Sequence, residues 1–177
     1  MKSVKIHLTL AVFLGVLLIV CLAGCANQNA ENQTQALSLE DMVEKLCDQV
    51  DVPPYETVRL DSENFAYFAF VPYDDSLSAV AADALVNVTP HSLVVIRADD
   101  GNGAALAEAV IENADPNKWL CVGSETVHVA YTDHYVVLIM SEKATANAIT
   151  ENFRAIAKEL DGMDMRLLTA GNSRYEP

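Results

Sequence analysis

Basic side chains are scarce in this 177-residue chain, which has 11 Lys and Arg against 25 Asp and Glu. The formal charge of −14 argues against nucleic acid as a partner, because binding to phosphates needs clustered Lys and Arg. Seven glycines and six prolines are too few for a collagen-like or low-complexity architecture. A hydrophobic content of 51% with 20% charged residues predicts one folded domain of ordinary size.

Complete catalytic and metal-binding motifs are also missing from the sequence. It has no Gly-x-Ser-x-Gly elbow, no His-Glu-x-x-His and no Cys/His quartet, so we expect neither a metal nor a cofactor. The segment Asp99-Asp100-Gly101-Asn102-Gly103 lacks the Glu that closes a calcium loop. It also lacks the third glycine of a dinucleotide loop, where Leu106 stands. We interpret it as a turn between a strand and a helix.

Two histidines fall within a predicted hairpin whose turn is centred on Thr132-Asp133. With that centre, His128 opposes Val137 and His134 opposes Tyr131 on the other face. Since successive strand residues alternate sides, these two histidines are not expected to share a metal.

The first 25 residues carry an export pattern. Lys2 and Lys5 precede an uncharged run from Leu8 to Cys21, which has the length of a signal-peptide core. The run closes with Leu22-Ala23-Gly24-Cys25, which resembles the lipobox of bacterial lipoprotein signal peptides. That resemblance implies cleavage before Cys25 and a diacylglyceryl thioether on its sulfur. A chance cysteine in an ordinary signal peptide, or an uncleaved membrane helix, is the alternative.

A lipid on Cys25 would set both the address and the membrane partner of the chain. Acyl chains, including palmitate, hold a protein at a bilayer with about 0.8 kcal/mol for each buried methylene. We therefore predict a signal peptide over 1–24 and a cell-membrane location on the extracytoplasmic face. The Asn- and Gln-rich residues of 25–37 have no apolar period and are expected to form a flexible tether. Cleavage removes two lysines and no acid, so the charge changes from −14 to −16.

Hydrophobic periodicity predicts the elements of the remaining chain. Helices are expected over 38–50, 104–114 and 142–160, and strands over 64–71, 93–98, 119–122, 126–131 and 135–140, while 79–88 is ambiguous. This order predicts an α+β fold, a single small domain over 38–160 with a mainly antiparallel sheet and helices packed on one face. Residues 161–177 are expected to form a C-terminal tail.

Two cysteines remain if Cys21 is removed and Cys25 is lipidated. Cys47 and Cys121 could form a disulfide outside the cytoplasm, but both lie in apolar runs typical of buried free thiols. We favour free thiols. A catalytic Cys121 is not expected, because no His or Asn motif accompanies it.

The stretch from His91 to Met140 resembles a group of small Gram-positive lipoproteins that carry a domain of unknown function. The similarity lies in Ser92-Leu93-Val94-Val95, in Asp99-Asp100-Gly101, and in Asp115-Pro116-Asn117-Lys118-Trp119-Leu120-Cys121-Val122. The resemblance implies a cell-surface lipoprotein and brings no catalytic residues with it. Lys118 and Trp119 are the best candidates for a ligand or partner surface, with a structural Trp119 in the core as the alternative.

These features predict a non-catalytic, lipid-anchored binding or interaction module at the cell surface. Its partner would be a protein, a wall component or a small ligand beside the membrane. The alternative is a small extracytoplasmic hydrolase whose site has no recognisable motif. The sequence favours the first reading because it contains no complete catalytic constellation.

Overall fold

The computed structural model describes residues 37–86 and 88–172. The export pattern of 1–24, the predicted acylation site Cys25 and nearly all of the expected tether lie outside the described residues. In chain order the elements are α1 (Leu39–Cys47), β1 (Tyr55–Leu60), α2 (Phe65–Ala69), β2 (Leu77–Ala84), β3 (Ser92–Ala98), α3 (Gly103–Asn113), β4 (Thr126–Tyr131), β5 (Tyr135–Ser141), α4 (Lys143–Asp161) and β6 (Arg166–Gly171).

The six strands form one sheet in the order β1-β2-β3-β5-β4-β6. Every neighbouring pair is antiparallel. The α+β class, the antiparallel sheet and the single small domain are therefore confirmed. Strands β3, β5 and β4 lie at the centre, and all residues of β4 and β5 are buried.

The helices are divided between the two faces of the sheet, whereas the sequence analysis expected them on one face. Helices α1 and α4 pack on the first face, against residues such as Leu93 and Val95. Helices α2 and α3 pack on the second face, against residues such as Val94 and Ile96. The physical reason is that the central strands carry apolar side chains on both sides, so both faces need a cover.

The two amphipathic helices of the first face follow their predicted patterns. Ser38 caps α1, since its Oγ accepts a hydrogen bond from Asp41 N at 3.0 Å. The apolar stripe of α1 is fully covered, and the long helix α4 buries Ile149 and Phe153. These helices confirm the periodicity arguments apart from small shifts at their ends.

The aromatic segment 64–71 forms a short helix rather than the predicted strand. Phe65 and Ala69 of α2 are buried one turn apart, Tyr67 points outward, and Phe70 ends the helix with a φ of 60°. Burial of one helical face outweighs the strand preference of these aromatic residues.

Three further differences concern strands. Residues 119–121 form bends and Val122 has irregular structure, instead of the predicted strand, and the ambiguous segment 79–88 contributes most of β2. Strand β1 was not predicted, and β6 lies within the expected C-terminal tail. The sheet therefore extends beyond residue 160, and β6 pairs with β4 along its whole length.

The β4–β5 hairpin is confirmed, but its turn is centred one residue later than expected. Tyr131 pairs with Val136, and His128 pairs with Ile139 rather than with Val137. The turn also receives the first residue of α3, since Gly103 N donates a hydrogen bond to Asp133 O at 2.7 Å. A Cβ on Gly103 would lie 2.3 Å from Thr132 O, so this backbone contact requires glycine.

Within the described part of the chain, none of the helices combines the length and the apolar character that crossing a membrane would need.

Candidate functional site

The loop between α3 and β4 holds Lys118 in place. Asn117 N donates to Asp115 Oδ1 at 2.8 Å, which tightens the turn after α3. Asn172, just past β6, then fastens the loop, because its Nδ2 donates to Asn117 Oδ1 at 3.1 Å and to Ser124 O at 2.8 Å. The end of the last strand thus fixes the segment that carries Lys118.

The Lys118 side chain is buried and ion-paired. Its ammonium donates to Asp83 Oδ2 at 2.8 Å and to Ser92 Oγ at 2.9 Å, and only 5% of the side chain is exposed. Ser92 Oγ in turn donates to Asp83 Oδ1 at 2.5 Å. These three residues, from a loop and from strands β2 and β3, are called the Lys118 cluster below.

Three aromatic rings surround the ammonium of the Lys118 cluster. The centroids of Tyr67, Phe68 and Trp119 lie 5.5, 5.3 and 5.1 Å from Lys118 Nζ. Tyr67 and Phe68 meet edge to face at 4.9 Å, and α2 carries both. Rings within about 6 Å attract a cation electrostatically, so they replace part of the hydration that Lys118 loses.

The charge state of Lys118 reflects two opposing causes. Burial lowers the pKa of Lys118, and the Asp83 carboxylate acts in the opposite direction by its charge and its hydrogen bond. A buried ammonium with a carboxylate at 2.8 Å is best described as a charged ion pair.

His91 lies next to this cluster and is fully buried. Its Nδ1 is 3.3 Å from Ser141 Oγ, while Nε2 has no hydrogen-bond partner among the described residues. Burial lowers the pKa of His91 to about 4; Asp83 opposes this change and Lys118 adds to it. His91 is therefore neutral at pH 7.

A serine beside a lysine invites comparison with hydrolases that use such a pair. In those chemistries the amine must be neutral in order to accept the serine proton. Here the ammonium donates to Ser92, Ser92 donates to Asp83, and Ser92 is fully buried. The hydrogen bonds run in the wrong direction for nucleophilic attack, and a substrate cannot reach the hydroxyl. The arrangement favours a structural role for the cluster.

A groove of about 270 Å³ opens beside the Lys118 cluster on the second face of the sheet. We call it the β1–β2 groove. Tyr67 and Leu85 on its wall are 63% and 60% exposed, which is high for large apolar side chains. Asp83 connects the groove to the buried ammonium. The lining residues are Glu56, Val58, Tyr67, Phe68, Ala81, Asp83, Ala84 and Leu85.

The predicted surface candidates therefore have different positions. Lys118 is buried behind the groove, and Trp119 is half-buried against the core of the second face. Leu120, next in sequence, is fully exposed. The structure thus brings Lys118 and Trp119 together at the base of a site and leaves the open surface to Tyr67 and Leu85.

The two cysteines are free in the structure. Cys47 is buried in the core of the first face, whereas Cys121 is exposed and belongs to neither core cluster. Burial raises the pKa of the Cys47 thiol, against a smaller opposite effect of its hydrogen bond with Tyr55.

The other residues considered for metal or nucleotide binding have structural partners. His128 Nδ1 lies 2.9 Å from Thr150 Oγ1, whose own proton goes to Ala146 O, so Nδ1–H is the donor. His134 Nδ1 donates to Ala98 O at 3.1 Å. Among residues 37–86 and 88–172, no three His, Cys, Asp or Glu side chains are arranged to hold a metal ion.

Comparisons of the chain with protein-family models, with curated proteins and with solved structures find no match.

Sequence reasoning missed most of the residues that build the site. Asp83, Ser92, Tyr67 and Phe68 are far from Lys118 in sequence and contact it only through the fold, while Glu56 lines the adjacent groove. One signal was available: Asp83 is a lone acid within the apolar segment 79–86, and an acid that is buried among apolar residues usually has a partner.

Proposed function

We propose that this chain is a lipid-anchored extracytoplasmic lipoprotein whose domain is a non-catalytic binding module at the cell surface. The anchor is the predicted lipid on Cys25, and the membrane is the partner of that lipid. The domain engages its ligand through the β1–β2 groove.

The observation that carries the binding role is the contrast between the groove and the cluster behind it. The wall of the groove exposes the large side chains of Tyr67 and Leu85 to solvent. Behind it, the Lys118 ammonium and the Ser92 hydroxyl are buried, and both are hydrogen-bonded to the Asp83 carboxylate. A surface of this kind supports recognition, since its apolar groups are open while its reactive groups are already engaged.

Metabolic labelling tests the anchor. Cells that express the chain are given a fatty acid with a clickable tail, and the labelled protein is measured on a gel. We expect label on the wild type and on Cys21→Ala, and none on Cys25→Ala. Equal labelling of Cys25→Ala and the wild type would contradict the proposal, because the acyl chain would then not depend on Cys25.

Site-specific photocrosslinking tests the groove in the same cells. A photoreactive residue replaces Leu85 in one variant and Arg154 in another; Arg154 lies on the solvent-exposed side of α4, on the opposite face of the sheet. We expect a discrete crosslinked product from position 85 that disappears with Tyr67→Ala, and none from position 154. Identical products from both positions would show that the groove has no special role.

A further inference from the structure

Two carboxylates face each other in the β1–β2 groove. Glu56 of β1 and Asp83 of β2 are register partners, and both line the groove. Directly opposed residues of antiparallel strands have Cβ atoms about 4.5–5.5 Å apart, and like charges in this placement repel. The sheet therefore holds an acid pair that needs positive charge nearby.

Lys118 supplies positive charge to only one member of the pair. Its ammonium binds Asp83, and no basic side chain of the described residues forms an ion pair with Glu56. Glu56 is exposed on the edge strand. With two carboxylates and one ammonium, the groove has an excess of one negative charge.

The aromatic wall of the groove already binds a cation from behind. Tyr67 and Phe68 lie within 5.5 Å of the Lys118 ammonium, and both also line the groove. Rings attract cations, and the exposed part of Tyr67 is available to a second one. Val58, Ala81 and Leu85 supply apolar contacts beside these groups.

We propose that the β1–β2 groove binds a small organic monocation, an ammonium group on an apolar body. The ammonium lies between Glu56 and Asp83 and neutralises the excess charge, while the apolar body packs against Tyr67 and Leu85. The groove volume of about 270 Å³ lies just below the range of about 300–1,000 Å³ that is typical of sites for drug-sized ligands, so a smaller amine suits it. This inference rests on the proposed binding function and names its ligand class.

Titration with 2-phenylethylammonium tests the ligand class on the purified full chain at pH 7. Trp119 is the only tryptophan and lies beside Lys118, so its fluorescence reports on the site. We expect saturable binding with a Kd on the order of 1 mM, as a ligand of this size allows. The neutral isostere 2-phenylethanol should bind about tenfold more weakly or worse. Equal affinity for the alcohol, or no saturation by the cation, would overturn the proposal.

Matched charge variants locate the site. Glu56→Gln should weaken the binding of 2-phenylethylammonium about tenfold, since the substitution removes the carboxylate that has no counter-charge. Glu108→Gln makes the same change on the exposed side of α3 and should leave the affinity unchanged. If the two variants bind alike, the groove is not the site. The comparison of 2-phenylethylammonium with 2-phenylethanol uses only the wild-type protein. It therefore tests the proposal even if Glu56→Gln folds poorly.

The two levels of the proposal fail separately. A crosslink from position 85 without cation binding would overturn the ligand class and leave the binding module standing. Cation binding without any lipid on Cys25 would overturn the anchor and leave the ligand class standing.

Discussion

The ammonium of Lys118 lies 2.8 Å from Asp83 Oδ2, and the two side chains differ in their contact with water, with 5% and 24% exposed. This difference in exposure determines how much stability the protein loses when either partner of the ion pair is replaced. A charge that stays buried alone is expensive, whereas a charge with access to water is partly solvated.

We therefore expect Asp83→Asn to lower the free energy of unfolding by about 3 kcal/mol, because it leaves the lysine buried without a counter-charge. Lys118→Met should cost only about 1–2 kcal/mol, since it keeps the packed stem and leaves a carboxylate that water can reach. Urea denaturation followed by circular dichroism measures both values.

The exposed Asp75→Asn is the matched control and should change stability by less than about 0.5 kcal/mol. Equal costs for Asp83→Asn and Lys118→Met would contradict the asymmetric burial of the pair.

His91 makes the stability of the domain depend on pH. The pKa of His91 in the folded protein is about 4, below the ordinary value of 6.5, so between pH 4 and 6.5 His91 binds a proton in the unfolded chain but not in the folded chain. The contribution of His91 to the free energy of unfolding is therefore complete above pH 6.5 and is lost as the pH falls toward 4. The contribution of His91 to that fall is about 3 kcal/mol, since one pKa unit corresponds to about 1.4 kcal/mol.

Denaturation curves at pH 7 and pH 4.5 test this linkage. We expect His91→Asn to be less sensitive to acid than the wild type, although it is less stable at pH 7. If His91→Asn and the wild type lose the same free energy between the two pH values, His91 is not the group responsible.

The contact of Gly103 with the hairpin turn predicts an unequal effect of two glycine substitutions. Gly103→Ala would place a Cβ 2.3 Å from Thr132 O, so two backbone segments must separate; we expect a loss of more than about 3 kcal/mol. In Gly162→Ala the added Cβ would have no atom within 4 Å, and only the φ of +67° is unfavourable, so we expect a loss of about 1 kcal/mol.

Thermal and chemical unfolding of the two variants compares these costs. A Gly103→Ala protein as stable as Gly162→Ala would mean that α3 can move away from the turn without loss.

The fold could be predicted from the sequence where the spacing of apolar residues in a segment was compatible with only one kind of element. The stripes of α1 and α4 each bury a regular set of apolar residues, so the pattern determines the helix, and the hairpin β4–β5 consists of two buried runs separated by a short turn. The strand prediction for segment 64–71 was wrong. Its aromatic residues are types that favour strands, but in the fold the segment forms a helix and buries only one face of it. Only half of the residues in strands β1 and β6 are apolar, because these strands lie at the edges of the sheet and edges bury less.

The candidate site was predictable only in part, for a different reason. Lys118 and Trp119 stood out by local sequence, but Asp83 and Ser92 reach Lys118 across 35 and 26 residues. Such contacts depend on strand order and register, which a single sequence does not specify. The division of helices between two faces also depends on the complete sheet, since it follows from side chains buried on both sides of β3 and β5.

The positions of the two thiols predict stepwise labelling. In a full chain with Cys21→Ser and Cys25→Ser, the remaining thiols are the exposed Cys121 and the buried Cys47. We expect Cys121 to react rapidly with a thiol reagent in the native protein. Cys47 should react only on unfolding, because burial both blocks access and raises its pKa.

The number of thiols titrated without reductant, before and after the addition of denaturant, measures this difference. Zero thiols in denaturant would mean that Cys47 and Cys121 form a disulfide in the purified protein, and two rapidly reacting thiols in the native state would mean that α1 opens readily from the sheet.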